Sequence, residues 1–170
     1  MQDGTVCGGG KKSEMLGRLY ENPFFSELSP QQMGVAALYW RLKRCPKDFT
    51  VFRENDDPDC MYYVLEGHLD VFKNAKDRKG KLTPVKVAEV TKDQLLGELA
   101  IIEGEKRSAT VVTAEPTNLL MIEEKHFNLL VKSHPQIGLI LMKQVAKLIS
   151  RQLRSTTGRY ANTQLNERTK

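Results

Sequence analysis

A glycine, an acid and an arginine within one short stretch are the residues best suited to chemistry in this chain. Gly97 is followed directly by Glu98, and Arg107 comes nine positions after the acid. A glycine lets the backbone approach a ligand closely, a carboxylate accepts hydrogen bonds from sugar hydroxyls, and an arginine fork holds two oxygens of a phosphate. Their spacing predicts a sugar-phosphate site. The alternative is an ordinary strand, turn and strand in which Glu98 and Arg107 form an ion pair.

The residues between the acid and the arginine favour a single helical turn over positions 99–103. The free N–H groups at the start of such a turn would face an anion and add to the charge of Arg107.

The segment GELAIIEGEKRSATV, residues 97–111, resembles the phosphate-binding cassette of cyclic nucleotide-binding domains without insertion or gap. The resemblance implies that Glu98 holds the ribose 2′-hydroxyl and that Arg107 holds the exocyclic phosphate oxygens. It also implies that the cradle is completed by the backbone N–H groups of Leu99 and Ala100 and by the side chain or N–H group at Ser108 and Ala109. One departure is Lys106, where many members carry proline. This change costs loop rigidity but adds a cation beside the anion site.

The composition is that of a soluble globular protein with one domain and extensions: 170 residues, 40% hydrophobic and 28% charged. The net charge of +5 is spread along the chain, so direct DNA binding is not expected.

The cysteines Cys7, Cys45 and Cys60 lack CxxC spacing, which favours a reducing compartment over a disulfide framework or a zinc site. No apolar run reaches the roughly 18 residues of a membrane span, no secretory leader is visible, and Gln2 excludes myristoylation. The prediction is a cytoplasmic protein without a membrane partner.

The order of patterns predicts a mainly β fold with flanking helices. Residues 1–12 are glycine-rich and predict a disordered tail, and they lack the Ser or Thr and the preceding strand of a P-loop. Residues 13–45 predict N-terminal helices, the second with an N-cap at Ser29 and apolar positions as far as Leu42. Residues 46–123 alternate β-prone runs with turns, which predicts a jelly-roll-like β-roll carrying the cassette.

Two features of the predicted β-roll admit another interpretation. Asn55 stands at a turn that usually carries glycine in the family, and asparagine tolerates positive φ better than most residues. The acidic cluster at 56–59 could suggest calcium, but it lacks the glycine and glutamate of a calcium loop, so a solvated turn is predicted.

The three histidines are His68, His126 and His134. They form no metal-binding or catalytic spacing, and the sequence predicts neither a metal site nor a catalytic residue.

Residues 124–160 predict two C-terminal helices, the second long and amphipathic, and 161–170 predict a polar tail. A second apolar stripe runs from Met142 to Tyr160 with heptad spacing for about two and a half repeats. This stripe predicts either a homodimer or further packing on the same domain. Gly158 is expected near the end of the helix.

A stretch of the long helix also resembles the family. In the bacterial members related to the catabolite activator, two hydroxyl residues that contact the adenine amino group follow an Arg-Arg-Leu stretch by two positions. Residues 151–157, RQLRSTT, resemble it, which implies that Thr156 and Thr157 cap the base. A hydroxyl suits adenine or guanine. Ser108 stands where some members use threonine for guanine and the bacterial activators use serine for phosphate. Cyclic AMP is the predicted ligand, and cyclic GMP remains open.

The sequence suggests three possible functions. The first is a cyclic AMP sensor without a cofactor that transmits binding through its C-terminal helix to an unknown effector. The second is a homologue that binds no ligand and serves as a dimerisation or protein-interaction module, against which the intact Glu98 and Arg107 argue. The third is a nucleotide hydrolase, for which the sequence shows no recognisable metal cluster or nucleophile arrangement. The resemblance spans residues 20–157, and since only thirteen residues follow, no helix-turn-helix domain is expected.

Overall fold

Two antiparallel sheets with helices packed on one of them make up this computed structural model, which describes residues 9–77 and 80–168, and the side chains of 14–77, 80–99 and 102–157. The helices are α1 (Gly9–Tyr20), a 3-10 helix (Pro23–Phe25), α2 (Pro30–Ala36), α3 (Glu98–Glu103), α4 (Glu124–Ser133) and α5 (Pro135–Arg168). The strands are β1 (Arg41–Cys45), β2 (Thr50–Phe52), β3 (Cys60–Glu66), β4 (His68–Lys76), β5 (Leu82–Thr91), β6 (Leu95–Leu96), β7 (Thr110–Thr113) and β8 (Thr117–Glu123).

The first sheet, in the order β1-β8-β3-β6, is the middle layer of the molecule. On β3, Tyr62 and Val64 point into the space between the sheets, whereas Met61 and Tyr63 pack against the helices. This alternation follows from the two-residue period of a strand, and six consecutive residues of β3 are buried because both faces are covered. The second sheet, in the order β2-β7-β4-β5, forms the outer layer. The predicted mainly β, jelly-roll-like fold with flanking helices is confirmed.

The start of α2 forms as its sequence predicts. Ser29 Oγ accepts a hydrogen bond from Gln32 N, and the Gln32 side chain accepts one from Ser29 N, so that two free donors of the helix start are satisfied. Pro30 occupies the first turn, where no backbone donor is needed.

The end of the predicted N-terminal helical region is wrong. Helix α2 ends at Ala36, and Leu42 lies in β1, which pairs with β8 along its whole length. Trp40 packs edge-on to Phe25 at 5.3 Å between ring centres, and this buried aromatic contact directs the chain into the sheet. Pairing with a neighbouring strand has overridden the local helical pattern, so the β-roll begins five residues earlier than position 46.

The predicted C-terminal boundary is also wrong. Helix α5 continues through Gly158 to Arg168, so the helical region 124–160 extends into the predicted polar tail 161–170. One glycine in a helix costs only about 1 kcal/mol relative to alanine, which need not end it. Of the predicted disordered tail, residues 9–12 belong to α1, while 1–8 lie outside the described residues. Among the described residues, no helix is both long and apolar enough to cross a membrane.

Candidate functional site

A cavity of about 240 Å³ lies where the outer sheet meets α3. The predicted cassette residues that line it are Gly97, Glu98, Leu99, Arg107, Ser108 and Ala109. Ala100 lies in α3, and its side chain is outside the described set. The apolar wall is built by Phe52, Val71, Val90, Leu96 and Val111. One cavity therefore gathers the residues that the sequence singled out and sets them against an apolar surface.

The loop between β2 and β3 holds the backbone of Arg107 in place. Arg107 N donates to Asp56 O at 2.9 Å, and Asn55 N donates to Arg107 O at 2.9 Å. Asn55 adopts a φ of 70°, as its position in the turn predicts. The acidic cluster 56–59, predicted as a solvated turn, thus also has a supporting role for the arginine.

The guanidinium of Arg107 is buried, with only 1% of its side chain exposed. Nη1 donates to Gly97 O at 2.9 Å, and Nη2 donates to Cys60 O at 2.5 Å and to Asp59 Oδ1 at 3.1 Å. A guanidinium carries five N–H donors. Among the described residues, none takes the Nε–H or the second N–H of Nη1, so two donors remain for a ligand.

The charge of this guanidinium is incompletely compensated. Its one described ion-pair partner is Asp59, whose side chain is 79% exposed and therefore well solvated. The guanidinium carbon of Arg107 lies 4.4 Å from the centre of the Phe52 ring, and this cation–π contact helps to orient the guanidinium. A buried cation is costly unless it is paired. The cavity therefore presents a positive centre suited to an anion.

Glu98 begins α3 and does not form an ion pair with Arg107. Its side chain is buried, and burial raises the pKa of the Glu98 carboxyl above its ordinary value, although its backbone hydrogen bond and the charge of Arg107 act in the opposite direction. The predicted helical turn after Gly97 is confirmed. The alternative, a simple ion pair between Glu98 and Arg107, is wrong. Both residues line the cavity, but the described ion-pair partner of Arg107 is Asp59.

We expect Glu98→Gln to stabilise the protein without ligand at neutral pH. Since the folded state raises the pKa, folded Glu98 takes up a proton more readily than unfolded Glu98, and stability rises as pH falls through the raised pKa. The ionised form thus opposes folding above that window, and an uncharged glutamine avoids the cost. Thermal unfolding of both proteins between about pH 4 and 7 should show the stabilisation shrinking as the pH falls. An equal difference at every pH would contradict this account.

Sequence reasoning missed three contributors to the site: Phe52, Asp59 and the carbonyl of Cys60. Phe52 ends a three-residue strand and carried no motif, and the Cys60 contact uses only backbone. Asp59 had a signal, because it belongs to the acidic cluster, but sequence alone does not connect that cluster to Arg107, which lies 48 positions away.

The predicted base-contacting residues lie apart from the cavity. The hydroxyls of Thr156 and Thr157 donate to Gln152 O and Leu153 O within α5, each at 2.9 Å, and both side chains are exposed. Neither belongs to the cavity lining. Their contact with a base stays a prediction. One turn earlier, Gln152 Nε2 donates to Leu95 O at 3.0 Å, which connects α5 to the strand that leads into the cassette.

A larger depression of about 350 Å³ lies between α2 and the junction of α4 and α5. Its lining consists of glutamines, serine, proline, apolar residues and His134, and it includes no lysine, arginine or acid. This depression offers a phosphate no fixed cation. The chemistry therefore favours the smaller cavity around Arg107.

Comparison with known proteins agrees with this geometry. The family described as "Cyclic nucleotide-binding domain" matches residues 42–134, which is more than half of the chain and includes the whole cassette. The chain belongs to the cyclic nucleotide-binding domain family, a family of ligand-binding regulatory domains.

Individual relatives share the domain in different settings. A cyclic nucleotide-gated potassium channel of Mesorhizobium japonicum is 31% identical over 71% of this chain and 31% of the relative. A cAMP-activated global transcriptional regulator of Haemophilus influenzae is 29% identical over 76% of this chain and 62% of the relative. The solved structure of a cyclic nucleotide-binding domain from Methylobacillus flagellatus has a TM-score of 0.75 at 22% identity, covering 89% of this chain and 83% of the other. The chain thus spans only 31% of the first of these curated relatives and 62% of the second.

Proposed function

We propose that this chain senses cyclic AMP and transmits its binding through α5. The observation that carries the proposal is Arg107, a buried cation whose Nε–H and second Nη1–H are not taken by any described residue, across one cavity from the buried acceptor Glu98. A cyclic nucleotide presents an anionic phosphate beside a ribose hydroxyl, which matches this pair. The cAMP-activated regulator of H. influenzae supports the choice of nucleotide.

The chemistry of the cavity supports one arrangement of the ligand. The phosphate takes the two remaining donors of Arg107 and the N–H groups at the start of α3, while the ribose 2′-hydroxyl donates to Glu98. Removing an acceptor that is charged costs about 1.5–3 kcal/mol. Glu98→Gln, the variant expected to stabilise the empty protein, should therefore weaken cyclic AMP binding by roughly ten-fold or more. Opposite signs for stability and affinity would identify Glu98 as a ligand contact.

Transmission through α5 is supported by its attachment to the cassette. Gln152 donates to the carbonyl of Leu95, two residues before Gly97, and Leu95 packs in the same core as Leu141 and Val145 of α5. A shift of the cassette on ligand binding would therefore also move α5. The ligand changes the balance between two helix positions only as far as its affinities for them differ.

The primary test is a calorimetric titration with cyclic AMP and then cyclic GMP. We expect micromolar or tighter cyclic AMP binding, which corresponds to about −8 kcal/mol or more, and weaker cyclic GMP binding. Stronger cyclic GMP binding would keep the site but overturn the choice of base. Binding of neither nucleotide would overturn the sensor.

The paired variant Thr156→Ala/Thr157→Ala tests the base contact. If the hydroxyls cap adenine, the loss of a hydrogen bond worth about 1 kcal/mol should lower cyclic AMP affinity about five-fold and reduce the preference over cyclic GMP. Ser150→Ala, an exposed hydroxyl on the same helix, is the control and should change neither. An unchanged preference in the paired variant would exclude these threonines from base recognition.

A second candidate is a dimerisation or protein-interaction module. It is favoured by apolar side chains that α5 leaves in solvent: Leu139 is 58% exposed and Leu153 is 65% exposed. Part of the predicted heptad stripe, at Met142 and Leu153, is thus available to a partner. Analytical ultracentrifugation beside the nucleotide titration separates the candidates, since tight self-association without nucleotide binding would favour the module.

We infer regulation rather than catalysis at this site. The described lining of the cavity contains acids, cations and Ser108 but no histidine or cysteine to activate a nucleophile. Incubation with cyclic AMP should leave the nucleotide intact, and chromatographic detection of linear AMP would overturn this inference.

A further inference from the structure

A second cluster of ligand-type side chains lies on the outer face of β4 and β5. It consists of His68, Asp70 and Glu89, whose ligand atoms all lie within 4.8 Å of one another. His68 and Asp70 are two positions apart on β4 and therefore share a face, and Glu89 stands directly opposite Asp70 in the strand register. Adjacent residues of the same strands, Val71 and Val90, line the nucleotide cavity. The cluster is therefore on the other side of the sheet from that cavity.

The spacing of the cluster suits a metal ion. His68 Nε2 lies 3.4 Å from Asp70 Oδ1 and 3.6 Å from Glu89 Oε2. Two ligands that each lie about 2.1 Å from a tetrahedral zinc ion are about 3.4 Å apart. His68 Nε2 is buried and has no hydrogen-bond partner in the described part of the chain. A buried nitrogen without a partner calls for an explanation, and a cation bound between it and the two carboxylates would supply one.

A lysine now provides the positive charge. Lys86 Nζ lies 2.8 Å from Asp70 Oδ1 and 2.6 Å from Glu89 Oε1. Its side chain is 41% exposed, so it can turn towards solvent at small cost. The ammonium contacts both carboxylates but does not use the histidine nitrogen, whereas a divalent ion would use all three groups. With Lys86 displaced, the two carboxylates would balance the two charges of the ion.

We propose that His68, Asp70 and Glu89 form a divalent-cation site that takes Zn²⁺, with Lys86 as the competing cation. One imidazole and two carboxylates are a donor set that zinc accepts, and the fourth position would be open to water. The site is independent of the proposed nucleotide function. Its place behind Val71 and Val90 would leave the nucleotide cavity accessible.

Isothermal titration of the full chain with Zn²⁺ tests the site. We expect saturable binding of one ion per chain. Removing a ligand in His68→Gln should weaken binding at least about ten-fold, since even losing a residue that only supports a ligand costs that much. Lys86→Gln should tighten binding about three-fold, because an exposed ion pair contributes little and no longer competes for the carboxylates.

The matched control is His126→Gln. His126 also lies beside a carboxylate, with Nδ1 3.9 Å from Glu123 Oε1. It belongs to no described group of three ligands, so its replacement should leave zinc affinity unchanged. Circular dichroism checks that each variant folds. The proposal is overturned if the wild type shows no saturable binding, if His68→Gln binds as the wild type does, or if Lys86→Gln weakens binding.

Discussion

Arg107→Ala should weaken cyclic AMP binding by at least about 30-fold. Truncating one partner of a buried, hydrogen-bonded charge pair costs about 2–5 kcal/mol, and about 1.4 kcal/mol corresponds to ten-fold in affinity. The phosphate would lose its two-point contact and the positive centre together. Calorimetric titration of the variant beside the wild type measures the effect. Affinity within a few-fold of the wild type would remove Arg107 from the site.

Two companion variants separate charge from geometry. Arg107→Lys keeps a cation but loses the planar fork, so its affinity should fall between those of the wild type and Arg107→Ala. Lys106→Ala removes the neighbouring cation, whose side chain is 66% exposed. It should reduce affinity by no more than about five-fold, in keeping with an exposed charge. If Lys106→Ala matched Arg107→Ala, general positive charge rather than the buried fork would bind the phosphate.

Protein stability must be measured in the same series, because Arg107 also supports the empty fold. Its guanidinium joins the carbonyl of Gly97 to that of Cys60 and to Asp59. Alanine leaves those acceptors without their donor and opens space beside Phe52. We therefore expect Arg107→Ala to lower the melting temperature, and Arg107→Lys tests binding in a protein that keeps more of these contacts.

The sequence predicted the cassette because its information is local. Gly97, Glu98 and Arg107 lie within eleven positions, and a short helix between them brings acid and arginine to one cavity. The N-cap of α2 at Ser29 and the tolerance of Asn55 for positive φ were predictable for the same reason, since each depends on the chemistry of one turn.

What depends on distant pairing was not predictable. Strand β1 has few β-prone residues and forms because β8 offers it a partner more than 70 positions away. The supports of Arg107 come from β2, β3 and the loop between them, which no spacing within the cassette reveals. The end of α5 was mistaken because a glycine lowers helical propensity without stopping a helix that already continues on both sides.

Gly97→Ala should abolish tight binding and should cost more stability than a comparable change elsewhere, because the guanidinium that it displaces also supports the empty fold. Gly97 has a φ of 75°, and an added Cβ would lie 2.4 Å from Arg107 Nη1. The nearest atoms belong to the guanidinium, and the carbonyl oxygen of Cys60 follows at 3.3 Å, so the fold relieves the conflict mainly by moving the guanidinium. That movement breaks the bond from Nη1 to Gly97 O and takes the fork away from the phosphate position. We expect an affinity loss of at least about 30-fold, close to that of Arg107→Ala.

Gly104→Ala is the matched control within the same cassette. Gly104 has a φ of 70°, but an added Cβ meets nothing within 4 Å. Both alanines pay a similar cost for a left-handed backbone, about 1–2 kcal/mol. Chemical denaturation should show a further loss of stability in Gly97→Ala alone, because its Cβ also displaces the guanidinium from Gly97 O. Only Gly97→Ala should lose cyclic AMP affinity, since only its Cβ displaces Arg107. Equal affinity losses in the two variants would mean that the backbone conformation of the cassette, rather than the position of the guanidinium, controls binding.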